Sequence, residues 1–246
     1  MRDIAHYAEN YTGSNFEVYQ VKYRKKMLFE RLGRYPHRRI LEIGCALDPL
    51  YNHLDDYEHL IIVEPAADFY QKAVVGAKGN PRVTCMQGFF EDKQSELRQY
   101  SYDIILLNAL LHEVESPETF LQLVYKLCSN DTVVHVNVPN AKSFHRLLAL
   151  EMGLVDSIYS KSAMQVRLQQ QRIFDMDSLL EMTQSAGFVA LDQGSYFIKP
   201  FTHGQMWEMM KGNIITDKML DGFYAMTRYM PTLGSEIFVE LKKKRN

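Results

Sequence analysis

From Arg39 onward, short apolar runs rich in β-branched residues alternate with stretches of helical periodicity, and this alternation constrains the chain more than any other feature. RILEIG, HLIIVEP, VTCMQGF, DIILLN and TVVHVNV are continuously apolar rather than alternating. That is the pattern of strands covered by helices on both faces. Residues 66–77, 91–100 and 117–128 between them predict helices. Repeated β-α-β order with right-handed crossovers predicts a doubly wound α/β sheet.

The alternation stops after Asn140. Residues 141–171 contain no strand candidate and predict inserted helices, SFHRLLALEMG the clearest. DSLLEMTQSAG predicts a further helix capped at Gly187. FVALDQGSYFI, a helical stretch over 206–230 and SEIFVELK complete the chain. The last two strands lack βαβ spacing and predict a closing antiparallel strand, giving a mostly parallel sheet of seven. Ahead of the sheet, Phe16, Val18, Tyr19, Tyr23, Met27, Leu28 and Leu32 form a helical stripe that stops at Gly33 and Pro36.

Composition adds exclusions. Apolar residues at 46% and charged residues at 24% fit one globular unit, and a net charge of -2 gives no general pull toward nucleic acid or anionic membrane. The basic run Lys242 to Asn246 reads as a solvated tail. Three cysteines without CxxC spacing, no signal-like leader and no long apolar stretch predict a cytoplasmic chain without membrane insertion. No metal is expected, since His and Asp are scattered and Asp55-Asp56 reads as a solvated loop.

The chemistry concentrates in ILEIGCALDPL. A strand enters Gly44, the chain turns, and Asp48-Pro49 predicts the N-cap and first turn of a helix. Twenty residues beyond Gly44, Glu64 ends the second strand, where an acid reaches a ribose diol. The plain alternative is that Gly44 only turns the chain and Glu64 caps a helix. A dinucleotide site requires further glycines, but Ala46 and Pro49 occupy those places. Asp48 and Glu42 repel a pyrophosphate and tolerate a cation. Those charges favour S-adenosylmethionine, a sulfonium and ammonium without phosphate, over NAD.

The sequence resembles the class I S-adenosylmethionine-dependent methyltransferases, a Rossmann-like fold, over most of residues 40–188. ILEIGCALDPL resembles their first motif and VEPAADFYQKA their second, with Glu64 and Pro65 at the ribose. VTCMQGFFED resembles the adenine-bordering loop, with Gly88, Phe89 and Phe90. YDIILLNALLHEVESPETFLQLV resembles the motif after the fourth strand, with Asn108 and Ala109 beside the methionine part of the cofactor, and RIFDMDSLLEMTQSAGF resembles the late helix. Two positions depart from the pattern. The second glycine of the first motif is Ala46, which suits the turn if its φ is negative. Phe89 stands where an acid often reads the adenine amine. VHVNVPNAKSFHRLLALEMG and SYFIKPFTHGQM resemble bacterial sugar and surface-polysaccharide methyltransferases, which implies O-methylation of a sugar, a nucleotide sugar or its substituent.

Methyl transfer to a hydroxyl needs a proton acceptor, and a histidine is the usual one. His112, after the fourth strand, is the first candidate, with Glu113 to orient it; a surface histidine on a turn is the alternative. His145 is the second candidate, near Lys142 and Arg146, and a lid-interface histidine is its alternative. Arg172, Lys199 and His203 are candidates for holding an acceptor, against ordinary surface salt bridges. The tyrosines are mostly expected in the core, but Tyr7, Tyr11 and Tyr19 would line the cofactor mouth if the N-terminal segment folds over it. The predicted organisation is one domain: a helical cap (1–36), a cofactor-binding half (37–139), inserted helices (140–171) and a C-terminal half shaping the acceptor pocket (172–246). The expected partner is a small glycan-type acceptor, with oligomerisation open. The alternatives are a nicotinamide oxidoreductase and a non-catalytic cofactor-binding subunit that buries the Gln165 to Gln171 region against another chain.

Overall fold

Because the inner strands are apolar at nearly every position, alternate side chains of one strand enter opposite layers. The computed structural model describes Ile4 and residues 16–244. Its strands are β1 (Arg39–Ile43), β2 (His59–Glu64), β3 (Val83–Gln87), β4 (Ile104–Asn108), β5 (Val133–Pro139), β6 (Phe188–Tyr196) and β7 (Glu236–Lys243). They form one sheet in the order β3-β2-β1-β4-β5-β7-β6. β1 to β5 run parallel, and β7 runs antiparallel to β5 and β6, as the terminal strand pattern predicts.

The helices are α1 (Glu17–Leu32), α2 (Ala67–Ala77), α3 (Gln94–Leu97), α4 (Pro117–Leu127), α5 (Phe144–Glu151), α6 (Ala163–Arg167), α7 (Met176–Ser185), α8 (His203–Lys211) and α9 (Asp217–Ala225). Leu41, Ile61, Ile105 and Val134 face α4 and α7, where Leu121 and Leu179 meet them. Their neighbours Ile40, Leu60, Ile62 and Ile104 face Leu28 and Leu32 of α1 and Ala73 of α2. A third cluster joins Phe16, Tyr23 and Met27 to Phe197, Met206 and Leu220, clamping α1 to α8 and α9.

Local rules explain where elements stop. Asp175 and Ser178 form a reciprocal capping box at the start of α7. Gly187 then ends that helix with φ +95°, and a Cβ there would stand 3.0 Å from the Tyr125 ring. Three expected helices come out differently. Residues 91–100 hold only a 3₁₀ turn (Phe90–Lys93) and the single turn α3, after which the Leu97 carbonyl accepts from the Tyr102 hydroxyl at 2.7 Å. The 206–230 stretch divides into α8 and α9, started by Thr202 and Thr216 as N-caps. Asp48 caps nothing: Pro49 is extended and is followed only by the 3₁₀ turn Leu50–Asn52. Among the described residues no helix is long and apolar enough to cross a membrane.

The chain leaves β3 and returns on the other side of β1 to form β4. The carboxyl ends of β1 and β4 therefore open a crevice at the point where strand order reverses, the usual ligand position in such sheets.

Candidate active site

A cavity of 930 Å³ opens at this crevice. Gly44, Ala46, Glu64 and Pro65 line it from the first two strands, Asn108, Ala109, His112 and Glu113 from the fourth, and His145, Arg172, Lys199 and His203 from later in the chain. Catalytic, cofactor and acceptor candidates spread over 160 residues are thus gathered on one cavity.

The turn after β1 is held by carboxylates that accept backbone N–H groups. Glu64 Oε2 accepts from Ala46 at 3.0 Å and Oε1 from Ala66 at 2.9 Å, tying the ends of β1 and β2 together. Burial raises the Glu64 pKa while these N–H groups draw it down. Glu42 Oε2 accepts from Leu50 at 3.0 Å, and burial pushes its carboxyl up to about 7. Gly44 has φ +78° and Ala46 has φ +48°. Ala46 is therefore left-handed, not in the negative-φ conformation that would suit alanine there, at a cost of roughly 1–2 kcal/mol.

Asp48 is not a bare charge facing a ligand. It pairs with Lys25 of α1 and contacts Asn52 and His53, and Lys25 and its neighbours hold its pKa low against the burial that raises it. Glu42 and Glu64 are left as the acids of the turn. Of the adenine-loop residues, Gly88 donates its N–H to Glu64 O at 3.2 Å, and Phe90 is a core side chain with its ring 4.7 Å from that of Phe120. Phe89 is extended at the start of the 3₁₀ turn. None of the three lines the cavity.

At the end of β4, Ala109 is also left-handed, with φ +48°. Its N–H is shared between the backbone and side-chain oxygens of Asn137, at 3.1 and 3.0 Å. Asn108 lines the cavity, and its buried Oδ1 accepts no hydrogen bond among the described residues. His112 is only 4% exposed, which removes the reading of a surface histidine. Its carbonyl is held by the N–H groups of Gln171 and Arg172 at 2.9 and 3.1 Å, and its Nε2 stands 3.8 Å from Glu113 Oε1.

The later elements supply a different kind of wall. Lys199 Nζ donates to His203 Nδ1 at 3.1 Å, and His203 Nε2 lies 3.3 Å from Glu17 Oε2. Burial lowers Lys199 to about 8 and also pulls His203 down, with Lys199 adding to the latter. His145 falls to about 2, through burial first and then Lys199, His203 and Arg146. It stays neutral at pH 7 and is a weak base. Lys142 does not act on it, since its ammonium goes to Asp175 and Asp177 at 2.7 and 2.8 Å. Arg172 sits half exposed at the rim and pairs with Glu118 at 2.9 Å. Tyr19 packs on Phe16 outside the cavity lining, while Tyr7, Tyr11, Arg245 and Asn246 lie outside the described residues.

Sequence reading did not find the network beneath this wall. Glu236 of β7 receives Arg24 through Nε at 2.9 Å and Nη2 at 2.6 Å, Gln20 at 3.0 Å, Asn137 at 2.7 Å, and the Tyr196 hydroxyl. Arg24 holds the Glu236 carboxyl below its usual range against the burial that raises it, and burial beside Glu236 pushes Tyr196 up. The signal that existed was a polar Asn137 inside the apolar run TVVHVNV.

A family model described as a methyltransferase domain matches residues 18–193. Solved structures align along nearly the whole chain. One is a SAM-dependent methyltransferase from Thermotoga maritima, described as a possible histamine N-methyltransferase, with 16% identity over 93% of this chain and 92% of that one and a TM-score of 0.59. A SAM-dependent methyltransferase from Archaeoglobus fulgidus shares 13% over 93% and 100%, with a TM-score of 0.55. The [4+2]-cyclase SpnF shares 14% over 90% and 80%, also at 0.55. At such identities the likeness is one of fold. No curated protein matches the chain.

Proposed function

We propose that this chain, which belongs to the methyltransferase-domain family and is an S-adenosylmethionine-dependent methyltransferase, methylates a hydroxyl oxygen of a sugar, a nucleotide sugar or a sugar substituent in surface-glycan synthesis. The observation that carries the acceptor reading is the composition of the cavity wall from Pro139 onward. Asn140, His145, Gln165, Gln170, Lys199 and Ser235 line it without a Phe, Tyr or Trp among the described residues. Flat aromatic acceptors are held by apolar and aromatic walls, whereas polyhydroxylated ones need spaced donors and acceptors.

The residues at the strand ends fit the cofactor. A buried Asn108 Oδ1 that accepts no hydrogen bond among the described residues suits an ammonium, and Glu64 at the end of β2 beside the turn suits the hydroxyls of a ribose. Glu64 and the Gly44–Ala46 turn would hold its ribose side, and Asn108 and Ala109 its methionine part. When bound, S-adenosylmethionine supplies an electrophilic methyl whose leaving group departs as a neutral thioether.

His112, which lines the cavity, takes the acceptor's hydroxyl proton in this reading, and Glu113, 3.8 Å from its Nε2, stabilises the imidazolium that results. His145, neutral and weakly basic, serves as a hydrogen-bonding partner of the acceptor. Alignment of oxygen and methyl in the cavity supplies much of the acceleration, up to about 7–11 kcal/mol in well-oriented systems.

The test is methyl transfer from labelled cofactor to a panel of free sugars, sugar phosphates and nucleotide sugars. The expected result is turnover of at least one of them, falling about 10²- to 10⁴-fold in His112→Ala with cofactor affinity unchanged. Tight cofactor binding with no transfer to any acceptor would favour the non-catalytic subunit instead.

A further inference from the structure

Two cations on the cavity wall, Lys199 and Arg146, form no direct ion pair with a carboxylate among the described residues. Lys199 is 4% exposed and carries three N–H donors, yet among the described residues its Nζ has one hydrogen-bond partner, the neutral acceptor His203 Nδ1. No carboxylate of the described residues forms an ion pair with it. The nearby acids are committed elsewhere: Glu236 to Arg24, and Glu17 to Arg24 and His203. Arg146, on α5, gives its guanidinium to the carbonyls of Ile158 and Ser160 and to Gln165 Oε1, all neutral. Lys199, His145 and Arg146 line the same cavity, Arg146 follows His145 in α5, and both cations depress the basicity of that histidine.

Glu17 and Glu236 offset the Lys199 charge at longer range while also serving Arg24, so Arg24, Lys199 and Arg146 keep one positive charge over these two carboxylates, and two N–H groups of the buried ammonium stay unused unless a ligand completes them. Two unused acceptors lie on the same wall. Gln20 Oε1 and His145 Nδ1 are buried and receive no hydrogen bond among the described residues. A matching ligand therefore brings an anionic oxygen together with donating hydroxyl groups.

We propose that the acceptor is an acidic sugar, and that Lys199 and Arg146 seat its anionic group while Gln20 and His145 receive its hydroxyls. The anion is a carboxylate, as in a uronic acid, or a phosphate, as in a sugar phosphate. The assignment rests on the cavity being an acceptor site, and it gives Arg146 the anion-binding role that the sequence suggests for Arg172. Since Lys199 occupies Nδ1 of His203, the proton of that imidazole is on Nε2, toward Glu17, and His203 positions the lysine.

The test is calorimetric binding of glucose, glucuronic acid, glucose 1-phosphate and inorganic phosphate to wild type, Lys199→Met, Lys199→Arg and Arg146→Met. At least one acidic sugar binds ten or more times tighter than glucose. That margin disappears in Lys199→Met and shrinks in Arg146→Met, and Lys199→Arg restores it. Preference for glucuronic acid or for glucose 1-phosphate identifies the anion. Affinity for the acidic sugar falls as pH rises through about 8, where Lys199 discharges. Of the groups around that lysine, His203 and His145 are already neutral there and Glu17 and Glu236 already ionised. Lysine-dependent binding of phosphate without binding of any sugar would keep the anion site and remove the glycan reading. Equal affinity for glucose and the acidic sugars, no binding of any probe, or acidic-sugar affinity indifferent to Lys199→Met would overturn the anion site.

Discussion

The two walls of the cavity are built by opposite means. Around Gly44, carboxylates clip backbone close by in sequence or across one parallel strand pair, as Glu42 does with Leu50 and Glu64 with Ala66 and Ala46. Under the wall proposed to hold the acceptor, side chains meet side chains across great separations, Gln20 and Glu236 being 216 residues apart. The first arrangement can be carried whole by a short motif and needs little beyond correct strand order. The second exists only once α1, β5, β6 and β7 have all docked, so it ties the acceptor pocket to the completion of the fold.

The largest expected effect breaks the second arrangement. Arg24→Met leaves Glu236 buried without its cation and costs about 3–5 kcal/mol of stability in denaturant titration. Arg24→Met with Glu236→Gln recovers most of that loss. Comparable losses in the single and double variants would mean that Arg24 acts by packing alone.

Glu42 sharpens the contrast through pH. Its folded pKa of about 7 lies above the ordinary 4.5, so the folded state holds the proton longer than the unfolded chain. Its contribution to stability is therefore full below about pH 4.5 and is lost as pH rises through about 7. Glu42→Gln keeps an acceptor for the Leu50 N–H and removes the charge. Thermal melts should show it more stable than wild type at pH 8, by on the order of 1–3 kcal/mol, with the gap closing toward pH 4.5. A gap independent of pH would contradict the protonation account.

The smallest effect concerns the turn itself. Ala46→Gly relieves a left-handed alanine and should add about 0.5–1 kcal/mol in the same melts, with cofactor affinity kept or improved. Destabilisation by glycine would mean that the alanine methyl makes contacts that outweigh its backbone strain.

Much of the fold was legible because continuous apolar runs report strands covered on both faces, and their order sets the topology. The turn after β1 was legible as far as Gly44 and Glu64, whose spacing follows from one β-α-β unit. Its details were not: the φ of Ala46 is imposed by the cross-strand clip from Glu64, and Asp48 is diverted by Lys25, a residue of α1 that no local pattern associates with it. Phe90 looked like part of a ligand loop because aromatic residues serve cores and ligand sites alike, and only its packing on Phe120 decides between them. The proposed acceptor wall yielded isolated candidates, Lys199, His203 and His145, without the Glu17 of α1 that pairs with His203, since that partner comes from a distant element.

The central claim is that the Gly44 turn and Glu64 hold S-adenosylmethionine. Calorimetric titration of wild type and Glu64→Ala with S-adenosylmethionine, and separately with NADH, tests it most directly. The account predicts binding of S-adenosylmethionine by wild type, weakened about 10- to 100-fold in the variant, and no comparable binding of NADH. Equal affinity in the two proteins, or a preference for NADH, would contradict it.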